Sequence, residues 1–297
     1  MSTGRVSIII PTTCEAKRRE SLLRAIDSVS ASAAEPPAII LVVNGERYDP
    51  VLLAELREDN RLRVVYERVG SLPRALRIGR DAISTAYFGF LDDDDEYLPG
   101  AVAMRQDYLD AHPHTDVVVC NGLRSRDGHD HPFMTDFASL NGRALQAMAE
   151  SNWLASCGAL YRSERVAPDL FDERFKYLEW TLLGFKLATT RRLAFVDKPT
   201  FRINETPGSL SRSEAYEISQ TIVLEEILKL ALPNDVRRRI QGKLGVAHHT
   251  LSDHCRLRGQ WGSAWRHHLK SLALPGRLNH LSYTRRLFRM GGGGAVR

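Results

Sequence analysis

Four short, largely apolar runs alternate with segments of helical spacing, and this alternation constrains the fold more than any other feature. Each run is rich in β-branched or aromatic residues and is too short for a buried helix. The runs are Val6–Ile10, Ala38–Val43, Leu62–Tyr66 and Tyr87–Leu91. Strands that alternate with helices predict an α/β fold with a mostly parallel central sheet flanked by helices. Right-handed crossovers then bring the carboxyl ends of the strands to one edge.

Five acidic residues, Asp92–Glu96, follow the fourth run directly. A buried strand cannot hold five carboxylates, so they must emerge at the ligand-binding edge of the sheet. Crowded carboxylates raise one another's pKa unless a cation neutralises them, and Mg²⁺ typically takes one or two carboxylates together with substrate phosphates. A solvated turn closed by Pro99 and Gly100 is the alternative for this stretch alone. Its position beside the exits of the first two runs, at Pro11–Thr13 and Asn44, favours a site for Mn²⁺ or Mg²⁺.

Length and composition fit a soluble protein. A chain of 297 residues accommodates one large α/β domain with a smaller appendage. No apolar run approaches the roughly 18 residues of a membrane span, and the N-terminus lacks the pattern of a signal peptide. The four cysteines are widely spaced without a CxxC pair, which indicates free thiols rather than disulfides or zinc ligands. These features predict a cytoplasmic protein.

Charge is distributed unevenly along the chain. Residues 233–297 carry a net charge of +11, whereas the remainder carries −6. A basic segment on an acidic body indicates an anionic partner, and no recognised nucleic-acid-binding module is present. Trp261 and Trp265 interleave with Arg266 and Lys270, so the segment suits peripheral contact with the inner face of the cytoplasmic membrane, or packing on the larger domain. Five histidines of this segment are expected on solvated helix faces: His248, His249, His254, His267 and His268.

Four blocks of the sequence resemble the nucleotide-sugar glycosyltransferases of the GT-A fold, family 2. The most specific part is the segment Leu-Asp-Asp-Asp-Asp-Glu-Tyr-Leu-Pro from Leu91 to Pro99. The blocks are Val6–Thr13, Ile39–Gly45, Phe88–Pro99 and Phe171–Leu187. The resemblance implies a GT-A (Rossmann-like) catalytic domain over residues 1–213. The sequence beyond it predicts a helical basic C-terminal region over 214–290, and the glycine run Gly291–Gly294 predicts a disordered tail over 291–297.

The resemblance also implies a nucleoside-diphosphate sugar as the donor, with a UDP-sugar favoured. Asn44 occupies the position at which the family usually has an acidic residue that contacts uracil. The carbonyl of its side chain can still accept a hydrogen bond from a base N–H. The alternative is that Asn44 and Gly45 only form a turn. Arg74 and Arg77 either help to bind the diphosphate or lie on a solvated helix face. The implied donor-binding residues are Pro11, Thr12, Thr13, Asn44, Arg74, Arg77, Asp92 and Asp93. The implied metal ligands are Asp94 and Asp95, although sequence alone cannot order four neighbouring aspartates.

Transfer to a hydroxyl needs a base that removes its proton, and a carboxylate suits this role. The acidic pair that the family carries at the start of a helix is reduced here to Glu179 followed by Trp180. The resemblance therefore implies Glu179 as the catalytic base, with Asp172 and Glu173 as alternatives, and a single displacement that inverts the anomeric configuration. The implied activity is metal-dependent transfer to a saccharide or lipid-linked saccharide in bacterial polysaccharide or envelope biosynthesis.

Two other classes remain as alternatives. A sugar nucleotidyltransferase would need a Gly-rich basic loop after the first strand, where this chain has Pro11–Cys14. A catalytically inactive nucleotide-sugar-binding module would be consistent with Asn44 and with the reduced pair at Glu179. Two segments are expected to be irregular: a polar loop over 124–137 and a polar connection over 200–213. Within the second, Arg202–Ser211 resembles a segment that in relatives folds over the nucleotide.

Overall fold

The computed structural model describes residues 4–204 and 214–288. The chain divides into two compact units, Met1–Gly208 and Ser209–Arg297. The domain boundary expected at residue 213 and the tail expected over 291–297 lie outside the described residues. The two units are therefore taken one at a time.

The first unit contains all the described strands and six α-helices in its described part. The strands are β1 (Val6–Thr12), β2 (Ala38–Asn44), β3 (Leu62–Glu67), β4 (Tyr87–Phe90), β5 (Glu96–Tyr97), β6 (Val117–Arg126), β7 (His129–Pro132), β8 (Ala159–Arg162) and β9 (Leu193–Asn204). The helices are α1 (Arg19–Ser30), α2 (Pro50–Glu58), α3 (Leu72–Asp81), α4 (Ala101–Ala111), α5 (Ala144–Glu150) and α6 (Glu179–Thr190).

The strands form a single mixed sheet within the described residues, in the order β3-β2-β1-β4-β8-β6-β9-β5, with β7 paired to β6. The four neighbours β3, β2, β1 and β4 are parallel, as the alternating pattern predicts. β8 is antiparallel to both β4 and β6 and so separates this half from the parallel pair β6 and β9. The predicted α/β class, a central sheet flanked by helices, is confirmed.

β1 lies at the centre of the parallel half and is buried along its whole length. Ile8, Ile9 and Ile10 are all fully buried, which explains the uninterrupted apolar run. A strand that is buried on one face only would alternate apolar and polar residues. Helix α3 packs directly onto it, because a Cβ atom on Gly79 would come within 2.3 Å of the Ile9 Cγ2 atom. The buried centre fixes where the strand ends, and therefore where the residues that follow it emerge.

The two segments predicted to be irregular are partly strand, so those predictions were wrong. β6 continues to Arg126 and forms a hairpin with β7, while β9 continues to Asn204. Arg202 on β9 pairs with Asp130 on β7 at 2.7 Å between Nη2 and Oδ2. These strand ends carry polar and charged side chains, so they lack the apolar signal from which the inner strands were recognised. The extension of β9 brings Asn204 to the acidic run.

The second unit is helical in its described part. Its helices are α7 (Glu214–Ile227), α8 (Asn234–Leu257), α9 (Trp261–Leu272) and α10 (Thr284–Phe288). A small apolar cluster of Ala264, Tyr283 and Leu287 is packed by Trp261 and Trp265. None of the described helices is both long enough and apolar enough to cross a membrane.

The histidines of the second unit do not follow the prediction of solvated helix faces. His248, His268 and His280 are buried, and the ring of His249 stacks on that of His280 at 4.4 Å between centroids. His248 and His267 approach each other with 3.1 Å between their Nδ1 atoms. The prediction was wrong because the neutral imidazole packs as an aromatic ring. All four cysteines lie in the described residues, and none of them forms a disulfide, as predicted.

Candidate active site

Hydrogen bonds join the ends of β1, β2 and the segment that follows β4. The Asn44 side chain donates from Nδ2 to the backbone oxygen of Thr12 at 3.0 Å. The Thr12 hydroxyl in turn donates to Asp93 Oδ2 at 2.5 Å and accepts from the backbone N–H of Cys14 at 2.9 Å. Pro11 is buried in β1, and Thr13 lies partly exposed just past its end. The structure therefore brings the three predicted exits to one place.

The four aspartates of the acidic run alternate between two environments. Asp93 and Asp95 are buried, whereas Asp92 and Asp94 are partly exposed. Asp95 accepts a hydrogen bond from the backbone N–H of Asn204 at 3.0 Å, and the Asn204 side chain donates to the backbone oxygen of Asp94 at 2.8 Å. The end of β9 thus holds Asp95 inward and leaves Asp92 and Asp94 on the accessible side.

Burial and mutual repulsion disfavour the ionised forms of Asp92 and Asp95. Burial raises the pKa of Asp92, and the neighbouring carboxylates Asp94 and Asp93 raise it further, although Ser156 donates a hydrogen bond to Asp92 at 2.7 Å. Burial likewise raises the pKa of Asp95, with repulsion from Asp92 and Asp94 as the next causes. Each raised pKa means that the ionised form is disfavoured in this place. A bound cation would remove that penalty.

The donor set fits a hard divalent ion that arrives with a phosphate ligand. No group of three or more His, Cys, Asp or Glu side chains in residues 4–204 or 214–288 is arranged to hold a metal ion by itself. Mg²⁺ commonly takes one or two carboxylates and completes its shell with water and substrate phosphates. The partly exposed carboxylates of Asp92 and Asp94 satisfy that smaller requirement, whereas Asp95 is held by a backbone N–H.

Arg18 is a site residue that the sequence analysis missed. Its guanidinium forms an ion pair with Asp93, and its Nη1 atom lies 3.6 Å from Asp94 Oδ2. The side chain belongs to a short 3-10 turn, Ala16–Arg18, that follows the end of β1. The basic run Lys17–Arg19 directly after the first strand was the available signal.

Glu179 is the first residue of α6, and its carboxylate is largely withdrawn from water. Its Oε1 atom accepts from the backbone N–H of Tyr177 at 3.0 Å. Burial raises its pKa, and its charge contributes to the raised pKa of Asp92. Tyr177 and Leu178 both have left-handed backbone conformations, with φ of 63° and 59°. The helix start therefore places a carboxylate of raised pKa near enough to Asp92 for the two charges to interact.

Apolar side chains surround Glu179 and account for its desolvation. A small cavity of about 20 Å³, lined by Leu76, Phe171 and Trp180 among others, lies beside it. Trp180 packs edge-on against Phe90 with 5.3 Å between ring centroids, so it contributes to this apolar wall. A carboxylate in such surroundings holds a proton more readily than one in water.

The two alternative bases are placed less favourably. The side chain of Arg174 hydrogen-bonds Asp172 and lowers its pKa to about 2, with Lys186 also close at 3.4 Å. Glu173 is exposed and lies 3.7 Å from Arg74. A carboxylate with a strongly lowered pKa is a weak base. The geometry favours Glu179 over both.

Arg74 and Arg77 lie on α3 and pair with carboxylates outside the acidic run. Arg74 is 3.1 Å from Glu67 on β3, and Arg77 is 3.1 Å from Asp81 one helical turn away. Their third neighbour Arg80 is buried, donates to the backbone oxygens of Val166 and Ser163, and covers the ring of Phe88. These contacts favour the surface-helix alternative for Arg74 and Arg77 over phosphate binding.

The segment expected to fold over the nucleotide, Arg202–Ser211, is described only as far as Asn204. Many relatives carry a histidine near this position. Here Asn204 binds the backbone around Asp94 and Asp95 and lies 3.2 Å from Glu96 Oε1. Its observed contacts are those of a residue that positions the acidic run.

A family model described as Glycosyl transferase family 2 matches residues 7–161, just over half of the chain. The fold is also similar to crystal structures of TarS from S. aureus. Its residues 1–349 in complex with UDP-GlcNAc are 19% identical, with a TM-score of 0.67 and coverage of 96% of this chain and 88% of that one. The complex of the same fragment with UDP is 16% identical, with a TM-score of 0.64 and coverage of 97% and 92%. A comparison with curated protein sequences gave no match.

Proposed function

Because the chain belongs to glycosyl transferase family 2 and is therefore a glycosyltransferase, we propose that it transfers a sugar from a nucleoside-diphosphate donor to a saccharide or lipid-linked saccharide hydroxyl. A UDP-sugar is the favoured donor, because the similarly folded TarS structures are complexes with UDP and UDP-GlcNAc. The proposal is supported by the hydrogen bonds that join Thr12, Asn44 and Asp93, and by the raised pKa of Asp92, to which the charge of Glu179 contributes.

In this proposal the exits of β1 and β2 bind the nucleoside. Pro11, Thr12 and Thr13 would border the base and ribose, and Asp92 would reach the ribose. The Asn44 amide nitrogen is engaged by the Thr12 backbone oxygen, which leaves the side-chain oxygen to accept from a base N–H. A neutral acceptor at this position is compatible with uracil.

Asp94, assisted by Asp92, would hold Mn²⁺ or Mg²⁺, and that ion would supply neutralisation of the charge that develops on the leaving diphosphate. The raised pKa of Asp92 supports this assignment, because neighbouring carboxylates oppose its ionisation and a bound cation would relieve that repulsion. Asp95 was expected as a second ligand, but its hydrogen bond with Asn204 favours a structural role. Asp93 serves with Thr12 and Arg18 to fix the run in place.

Glu179 would accept the proton of the acceptor hydroxyl. The freed oxygen then forms a bond to the anomeric carbon while the bond from that carbon to the diphosphate breaks, so the configuration inverts. Burial of Glu179 supports this role, because a raised pKa makes a carboxylate a better proton acceptor near neutral pH.

The proposal also covers the biological setting of the reaction and the division of the chain into two regions. We propose that the reaction belongs to bacterial polysaccharide or envelope synthesis. Residues 1–213 would form the catalytic region. The helical basic region over 214–290 would contact the inner face of the membrane or pack on the catalytic region. The family match supports neither the sugar nucleotidyltransferase nor the inactive binding module.

A thermal-shift panel of nucleoside diphosphates, each with and without Mn²⁺, tests the proposal. We expect UDP with Mn²⁺ to raise the Tm most, because a ligand that binds only the folded state stabilises it. Asp94→Asn should remove the Mn²⁺-dependent part of the shift without lowering the Tm of the free protein. Asp107→Asn, on the exposed side of α4, is the matched control and should behave as the parent protein. The absence of a shift with every nucleotide would contradict the proposal.

A further inference from the structure

Arg18 occupies the space beside Asp93 and Asp94 with a positive charge of its own. One guanidinium nitrogen pairs with Asp93 Oδ1 while the Thr12 hydroxyl binds Asp93 Oδ2, so both oxygens of that carboxylate are engaged. The same guanidinium nitrogen lies 3.6 Å from Asp94 Oδ2. About a third of the Arg18 side chain and a fifth of the Asp94 side chain remain exposed, at 35% and 20%.

The position of this guanidinium affects any cation that approaches Asp94. Two positive charges a few ångströms apart repel each other, and the repulsion is stronger at a partly buried site than in water. A metal ion that binds Asp94 without a phosphate would therefore meet an unfavourable neighbour. A diphosphate changes this balance, because it attracts both the ion and the guanidinium, whose planar donors match phosphate oxygens.

We infer that Arg18 makes metal binding at Asp94 conditional on the donor diphosphate, by repelling the bare ion and by contacting the phosphates once they arrive. This inference rests on the proposed function, and it adds a residue that couples the two ligands. The ion pair with Asp93 anchors the Arg18 side chain, and the longer separation of 3.6 Å from Asp94 is the contact that a metal ion and a diphosphate would change.

The coupling is measured by titrating Mn²⁺ into the full chain with and without saturating UDP, using the electron paramagnetic resonance signal of free Mn²⁺. For the parent protein we expect UDP to tighten Mn²⁺ binding by about 5–150-fold, the usual range of coupling between two sites. Arg18→Gln should tighten the binding of bare Mn²⁺ by about tenfold and move the UDP effect towards unity. Arg18→Lys should keep most of the coupling, because the charge remains.

Arg24→Gln is the matched control. Arg24 lies 3.7 Å from Glu96, the last residue of the acidic run, so its removal changes the net charge equally without affecting the ion pair at Asp93. The control should retain the parent coupling. If Arg18→Gln is poorly folded because Asp93 is left buried and unpaired, the double variant Arg18→Gln with Asp93→Asn removes both partners and gives the same readout.

The outcomes separate the two proposals. Coupling in the parent protein that persists unchanged in Arg18→Gln, or in the double variant, would overturn the role of Arg18 and leave the proposed function intact. A parent protein that binds Mn²⁺ neither alone nor with any nucleoside diphosphate would overturn both.

Discussion

The acidic run of the first unit and the histidine cluster of the second both contain ionisable side chains whose pKa values are shifted by burial, but in opposite directions. In the acidic run, burial and mutual repulsion raise the pKa of Asp92 and Asp95, so charge is held at a cost. In the second unit, burial lowers the pKa of His248 to about 4, so its imidazole is neutral and packs as core. The comparison teaches that burial alone does not mark a ligand site.

The difference lies in what surrounds each group. Asp92 faces the carboxylates of Asp94, Asp93 and Glu179, which all oppose its ionisation. His248 faces Lys270 and His267, which both oppose its protonation, and Glu225 lies 4.0 Å away. Neutral imidazoles can share a proton or stack, whereas neighbouring carboxylates need a cation or bound protons.

Replacing Glu179 by Gln is expected to give the largest effect, because it removes the proposed base while keeping the shape of the side chain. We expect transfer activity to fall by about 10²–10⁴-fold, the usual contribution of a general base. The measurement is kcat and KM with a UDP-sugar. Donor binding should be nearly unchanged, since the loss concerns proton transfer.

The control for this change is Glu164→Gln, on an exposed loop beside Arg165. It should retain parent activity. Full activity in Glu179→Gln would mean that this carboxylate is not the base. The proposed functional difference between the two regions would then be contradicted.

Acid should destabilise the second unit before the first. The pKa of His248 is lowered in the folded state from an ordinary value of about 6.5, so its contribution is fully present above pH 6.5 and is lost as the pH falls towards 4. The raised pKa values of Asp92 and Asp95 act oppositely, because the folded state takes up their protons more readily as the pH falls. Hydrogen exchange at pH 7.5 and 5.5, corrected for intrinsic rates, should show lost protection in α8 and α9 and retained protection in β1 and β4.

His248→Gln removes the titrating group and should reduce the pH dependence of protection in α8. His114→Gln, at an exposed position after α4, should leave it unchanged. Equal loss of protection in both units would show that the buried imidazoles do not govern the acid response.

Two hydroxyl deletions give the smallest effects. Thr12→Val removes a donor to a carboxylate, and Ser252→Ala removes a donor to the backbone oxygen of Ala264 at 2.7 Å. We expect losses in the free energy of unfolding of about 1.5–3 kcal/mol and about 0.5–1.5 kcal/mol respectively, because hydrogen bonds to charged groups are stronger. Urea denaturation measures both. A larger loss at Ser252 would reverse the comparison.

Many of the residues proposed to bind the nucleotide sugar were predictable from the sequence, because they follow the ends of strands. Apolar runs identified β1 to β4, and parallel strands bring Thr12, Asn44 and the acidic run to one edge. The separate environments of Asp92 to Asp95 were not predictable, since four identical neighbours carry no local signal. Asn204, at the C-terminal end of β9, orients them through the hydrogen bond from its backbone N–H to Asp95. The polar sequence of this strand end predicted a loop. Arg18 was missed because its partners are distant in sequence.

The pair of left-handed residues before α6 has a consequence for engineering. Tyr177 and Leu178 each carry a backbone conformation that costs L-residues about 1–2 kcal/mol. A search for more heat-resistant variants would be drawn to glycine at these positions, since glycine adopts that conformation freely. The same exchange would loosen the hinge that aims Glu179. Under the proposed role of Glu179 as base, heat resistance gained at these two positions would lower the catalytic rate.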